Sequence, residues 1–222
     1  MTNSDSDGLF ENDWDDRGEL AWTELDWQKY LGTQEAAVHQ YIKHYDQIPT
    51  ALDRIDEAAR RMGWEMAEQP GNADEELEPE ELFAGGWDPY TLHRNPVYIS
   101  TRALYVSLLA HWERIAAQPD RVPAALGISL QALLYRGSEH ALQAVQALEM
   151  GDYTLAVCFF KRALHELNLT MARLGQADVT AAPVALRYRA YALPRLFDLR
   201  EIWLRVMNEC RQGDNGADSQ PE

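Results

Sequence analysis

The chain is predicted to be all-α, an up-and-down bundle of five to seven helices with no sheet. Three observations carry that prediction. Between 153 and 174, Ala156, Phe160, Ala163, Leu167, Thr170 and Leu174 recur at spacings of three and four, which lines one face of an α-helix. Fourteen of residues 97–117 are apolar and are spread almost all round, as on the central helix of a bundle. No segment alternates with period two and β-branched enrichment, the pattern a half-buried strand needs.

Taken in order, residues 1–20 are rich in Asp, Ser, Asn and Gly and read as a mobile acidic tail. Residues 21–67 form an N-terminal helical arm. Its first half interleaves Trp22, Leu25, Trp27, Tyr30 and Leu31 with Glu24 and Asp26, continuing a pattern begun at Trp14. Such alternation suits an interaction segment, or an arm whose indoles pack on the bundle. A helix is expected over 34–47, capped by Thr33, with Val38, Tyr41, Ile42 and Tyr45 on one stripe and Pro49 ending it. Leu52, Ile55, Ala59, Met62 and Met66 mark a second helix over 51–66.

Residues 68–86 are an acidic linker. From 68 to 81 there are seven acidic residues together with Pro70, Gly71 and Pro79, which favours an extended surface loop. The main bundle follows over 87–212. Asn95-Pro96 is a cap followed by a first helical residue, opening a helix to 117. Leu126, Leu130, Leu133 and Leu134 place another over 123–135, with Gly127 and Gly137 as points of interruption.

Residues 138–175 are the organising hairpin. Gly151 can take the left-handed conformation that ends one helix, and the Asp152 side chain can cap the next. From Pro183 a last helix carries Leu196, Leu199, Ile202, Trp203, Val206 and Cys210, with a bend expected at Pro194. Residues 213–222 read as a disordered tail. Within the hairpin, Gly151-Asp152-Tyr153, Ala156, Phe160, Ala163-Leu164 and Asn168, with Ala144 and Ala147 before the turn, resemble a tetratricopeptide repeat over about residues 138–168. The resemblance implies two antiparallel helices in close alanine contact.

Charge narrows the function classes. Residues 1–90 hold 23 acidic and 6 basic side chains, a balance of −17; residues 91–222 hold 13 and 14, a balance of +1. Acidity of this extent repels phosphate backbones, so no nucleic-acid partner is expected. It also lets the front half dock on arginines of the back half, or on a basic partner. The longest unbroken apolar run, 155–160, is too short for a bilayer, and no secretory signal opens the chain. Cys158 and Cys210 both fall on helical apolar faces, as buried thiols in the cytoplasm would. No P-loop, dinucleotide-binding glycine pattern, nucleophile elbow or His-Glu-x-x-His occurs, so neither a cofactor nor a metal is expected.

Two constellations remain. Ser107, His111 and Arg114 form a polar strip on the apolar helix over 96–117, while Arg102 lies on another of its faces. With His140, they are the candidate ligand-binding residues, because imidazole and guanidinium groups suit a carboxylate or phosphate. Trp14, Trp22, Trp27, Arg187 and Arg195 are the candidate interaction surface, since indoles and arginine forks dominate protein contacts. The leading expectation is a non-enzymatic protein-interaction or homodimeric module. A helical bundle that binds a small carboxylate or phosphate, as a binding protein or as an enzyme, is the alternative.

Overall fold

The computed structural model describes residues 22–51, 53–64, 95–118 and 120–217. Seven helices are found among them: α1 Glu24–Asp46, α2 Arg54–Arg61, α3 Pro96–Ala116, α4 Ala124–Glu149, α5 Tyr153–Leu174, α6 Ala177–Ala181 and α7 Pro183–Ala217. The described residues contain no strand, and the fold is an all-α bundle.

The four long helices α3, α4, α5 and α7 pack in a ring, each on the next, and α7 closes on α3. Short connections make successive members antiparallel. Their inward faces share one core, in which Leu104, Leu108, Trp112, Leu130, Phe160, Leu167, Tyr188, Leu199 and Trp203 are fully enclosed. Helix α1 lies on α3, and α2 bridges α1 to α7.

Local chemistry explains the boundaries. Asn95 accepts from the Tyr98 amide and Pro96 occupies the first helical position, as expected. Gly151 has φ of 75°, which only glycine tolerates without cost, and the Asp152 carboxylate accepts from the Leu155 amide at 2.9 Å. The α4–α5 hairpin is therefore closed as its residues predict, and α3 packs on its first helix and α7 on its second.

Several expected boundaries move. Helix α1 starts at Glu24 rather than near 34, because Thr23 and Asp26 form a reciprocal capping box. Residues 124–149 form one uninterrupted helix. Gly137 is a site of close approach, where a Cβ would stand 2.5 Å from the Tyr105 hydroxyl oxygen, whereas one at Gly127 would make an ordinary contact 3.6 Å from the Ala116 Cβ. Helix α7 runs through Pro194 without a break and continues to Ala217, so residues 213–217, expected in a disordered tail, extend it. Proline removes one helix bond, and packing of both flanking turns on the core holds the helix together. Helix α2 is shorter than expected, and α6 carries no pattern long enough to be read. Cys210 is buried, but Cys158 is exposed. The expected acidic tail over 1–20, the linker over 68–86 and Trp14 lie outside the described residues.

Three large buried rings of the core find hydrogen-bond partners on neighbouring helices. The Trp203 indole donates to the Thr101 hydroxyl at 3.1 Å, the Trp112 indole to the Gly127 carbonyl at 3.1 Å, and the Tyr188 hydroxyl to the Leu108 carbonyl at 3.1 Å. An indole N–H left unpaired in such surroundings would forfeit its hydration. These bonds fix the rotation of α3 against α4 and α7.

Candidate functional site

Two places on this scaffold gather polar side chains around apolar or aromatic ones. The first is a groove between α1 and α3. Leu31 and Val38 from α1 and Tyr98 and Val106 from α3 supply its apolar floor, while Glu35, His39 and Arg102 stand round it. The cavity measures about 360 Å³, which lies within the range of ligand-sized clefts. Spacing positions these groups: Leu31, Glu35 and Val38 succeed one another at four and three on α1, as do Tyr98, Arg102 and Val106 at fours on α3. Burial pushes the Tyr98 hydroxyl above its ordinary pKa, and the Arg102 charge pulls it back. The phenol is therefore a neutral donor beside a cation.

The second place is a seam where the α1–α2 hairpin meets α7. Asp198 accepts at one carboxylate oxygen from the Tyr45 hydroxyl at 2.5 Å and from Arg54 at 2.7 and 2.9 Å. Arg54 also lies over the Tyr45 ring, 4.3 Å from its centroid. One turn earlier, Arg195 is 8% exposed, pairs with Asp46, donates to the Tyr191 carbonyl and rests 3.6 Å from the Tyr191 ring centroid. Asp56 pairs with Arg205 at 2.6 Å. Burial, with the Asp198 hydrogen bond and charge, pushes the Tyr45 hydroxyl far up, so it stays a donor.

The five candidate ligand residues are spread over three locations. Arg102 is on the α1–α3 groove. Ser107 donates to the Leu104 carbonyl of its own helix at 2.8 Å. His111 stacks on Tyr191 with centroids 4.3 Å apart, at the back of the seam, and Arg114 is exposed nearby. Desolvation lowers the His111 pKa, and the Arg114 and Arg195 charges lower it further. His140 is on α4, with Nδ1 3.2 Å from the Gln143 side-chain oxygen. Arg102 is about half a turn round α3 from the other three α3 residues, which is why the groove and the seam are separate.

Of the candidate interaction residues, Trp22 and Trp27 cluster with Tyr30 at the start of α1, with centroids 4.8 to 6.0 Å apart. Arg195 is enclosed in the seam, whereas Arg187 is exposed on α7. The sequence leads to the expectation that the acidic front half docks on arginines of the back half, but it does not single out Asp46, Arg54 and Tyr191 or say which acid meets which arginine. The alternating arginines and acids of 187–211 were the available signal, but their partners are 144 and 149 residues away.

Neither place joins a nucleophile to a base: the one side-chain hydrogen bond of a described histidine goes to an amide, and burial pushes the Cys210 thiol up. Among the described residues no three metal-ligating side chains are grouped, and no helix is long and apolar enough to cross a membrane. The arrangement of the groove offers a neutral phenol, a guanidinium and apolar walls. No protein-family model, no curated protein and no solved structure matches this chain.

Proposed function

We propose that the chain is a non-enzymatic interaction module that receives a protein segment in the α1–α3 groove. The observation that supports this most is the groove's composition. Leu31 is 50% exposed and Val106 38% exposed on its walls, and such apolar surface, rimmed by charge, favours a partner's apolar side chain. Arg102 forms no ion pair among the described residues, so a carboxylate on the same partner segment has a cation to meet.

The test uses a photo-crosslinking residue at Val106 in the full chain, expressed in its native cell. A covalent adduct heavier than the chain is expected, reduced at least severalfold by Arg102→Glu or Val38→Asp. The same adduct from a probe at exposed Lys161, or none from Val106, counts against the groove. Arg102 also supports a second reading, a small carboxylate or phosphate as the occupant. A rise in melting temperature with aliphatic carboxylates or inorganic phosphate, lost in Arg102→Ala, would favour it.

A further inference from the structure

A separate apolar surface lies on α7. Its core-facing residues include Ala185, Ala192, Leu196, Leu199 and Trp203. Almost every one is followed by a residue of a second stripe: Leu186, Ala190, Leu193, Phe197, Arg200 and Leu204, at spacings of four, three, four, three and four. One residue is 100° of rotation, so the second stripe faces sideways from the bundle. Leu186 is 43% exposed, Phe197 54% and Leu204 37%. Alternating threes and fours form the seam of a two-stranded coiled coil.

We propose that this stripe pairs with its own copy on a second chain, antiparallel, about a two-fold axis at the level of residues 194–195. The stripe is self-complementary in that register. Leu186 then faces Leu204 of the second copy, Leu193 faces Phe197, and small Ala190 faces long Arg200. The flanking position places Arg187 opposite Glu201 of the second copy. Arg187 is exposed and forms no ion pair among the described residues. The Glu201 side chain is 52% exposed, and only one of its oxygens accepts from Arg205, at 2.9 Å. A parallel pairing would set Arg200 against Arg200 in one layer and leave Arg187 without an acid. Asp198 of α7, and Asp46 of α1 where Arg195 holds it, lie off the stripe, and among the described residues the front half reaches its flank only through Asp56, which shares Arg205 with Glu201. The pairing stands independently of the α1–α3 groove.

Sedimentation of the full chain over a range up to about 100 µM should show a reversible monomer–dimer equilibrium. Phe197→Glu should abolish the dimer while the helical spectrum, and the melting temperature at concentrations where the unaltered chain is monomeric, stay unchanged, because Phe197 is largely outside the core. Arg187→Glu should weaken association about tenfold, and adding Glu201→Arg should restore it. In a Cys158→Ser background, spin labels at Pro194→Cys should lie within about 20 Å of each other, and labels at Asn208→Cys about 40 Å apart along the axis. A monomer at every concentration, a dimer indifferent to Phe197→Glu, or equal label separations at the two sites would overturn the proposal.

Discussion

The ring of α3, α4, α5 and α7 and the α1–α2 hairpin beside it are held by different chemistry. In the ring, large apolar side chains fill the space, and the Trp203 and Trp112 indoles and the Tyr188 phenol each bond to a neighbouring helix. At the hairpin, Asp46–Arg195, Arg54–Asp198 and Asp56–Arg205 bind the front of the chain to its back, beside stacked Tyr45, Tyr41 and Trp64 and the Tyr191 ring under Arg195. Arg54 and Asp198 are both mostly enclosed, Arg195 is enclosed but meets a half-exposed Asp46, and Arg205 is itself well exposed. Apolar burial is indifferent to salt and nearly so to pH, whereas ion pairs respond to both. The comparison teaches that the two regions can be perturbed separately.

The largest effect should come from the ring. Trp203→Ala removes a fully buried indole and orphans the Thr101 hydroxyl, so urea unfolding should report a loss of about 3–5 kcal/mol. A loss under about 1 kcal/mol would break the account of the core.

Next, Asp198→Ala strips Arg54 of its carboxylate. The two side chains are 11% and 23% exposed, so the expected loss is about 1–3 kcal/mol, concentrated on α1 and α2. Hydrogen exchange should quicken there and remain unchanged in α4 and α5. Equal quickening in both regions would show that the hairpin and the ring are one cooperative unit.

Gly137→Ala tests close packing inside the ring. Its Cβ would meet the Tyr105 oxygen at 2.5 Å, and Tyr105 is wedged against Trp203. Overpacking of about 1–3 kcal/mol should outweigh the gain of up to about 1 kcal/mol from helix propensity. A stabilised variant would mean that the two helices can part freely.

His111 gives the pH arm of the comparison. Its pKa falls below the ordinary 6.5 because of desolvation and then the Arg114 and Arg195 charges. Just below 6.5 the unfolded chain therefore binds more protons than the folded one. This contribution to stability is present above 6.5 and lost as pH falls through the folded value. Replacing His111 with Phe should flatten that part of the melting-temperature profile. Salt should have the smallest effect, a slight loosening of the hairpin.

How much of this could be read from residues alone depends on range. Asn95-Pro96, Gly151-Asp152 and the stripe through Ala156 and Leu174 act within a few residues, and each boundary they mark is found. Gly127, Gly137 and Pro194 look like punctuation in one dimension, yet the helices run through them. At Gly137 the missing Cβ is space for Tyr105, and at Pro194 the flanking packing outweighs one lost hydrogen bond. The seam was the least legible part. Nothing local in Asp46 or Asp198 names Arg195 or Arg54, and charge totals showed only that the front was acidic and the back supplied arginines. Arg102 stands out in the sequence as an arginine on an apolar helix, but its neighbours Glu35 and His39 come from α1.

The connection between Gly151 and Asp152 has a kinetic consequence. Helices α4 and α5 meet through a few residues, so their contact closes a very short loop. The α1–α2 hairpin must find α3 and α7 across residues 62–95, a span of 34 residues. Loop closure disfavours the longer search only logarithmically, but the ordering of two polar helices compounds it. The α4–α5 pair should therefore form early in refolding. The hairpin should dock late and be the first part to detach under native conditions, leaving the four-helix ring intact as a partially unfolded state.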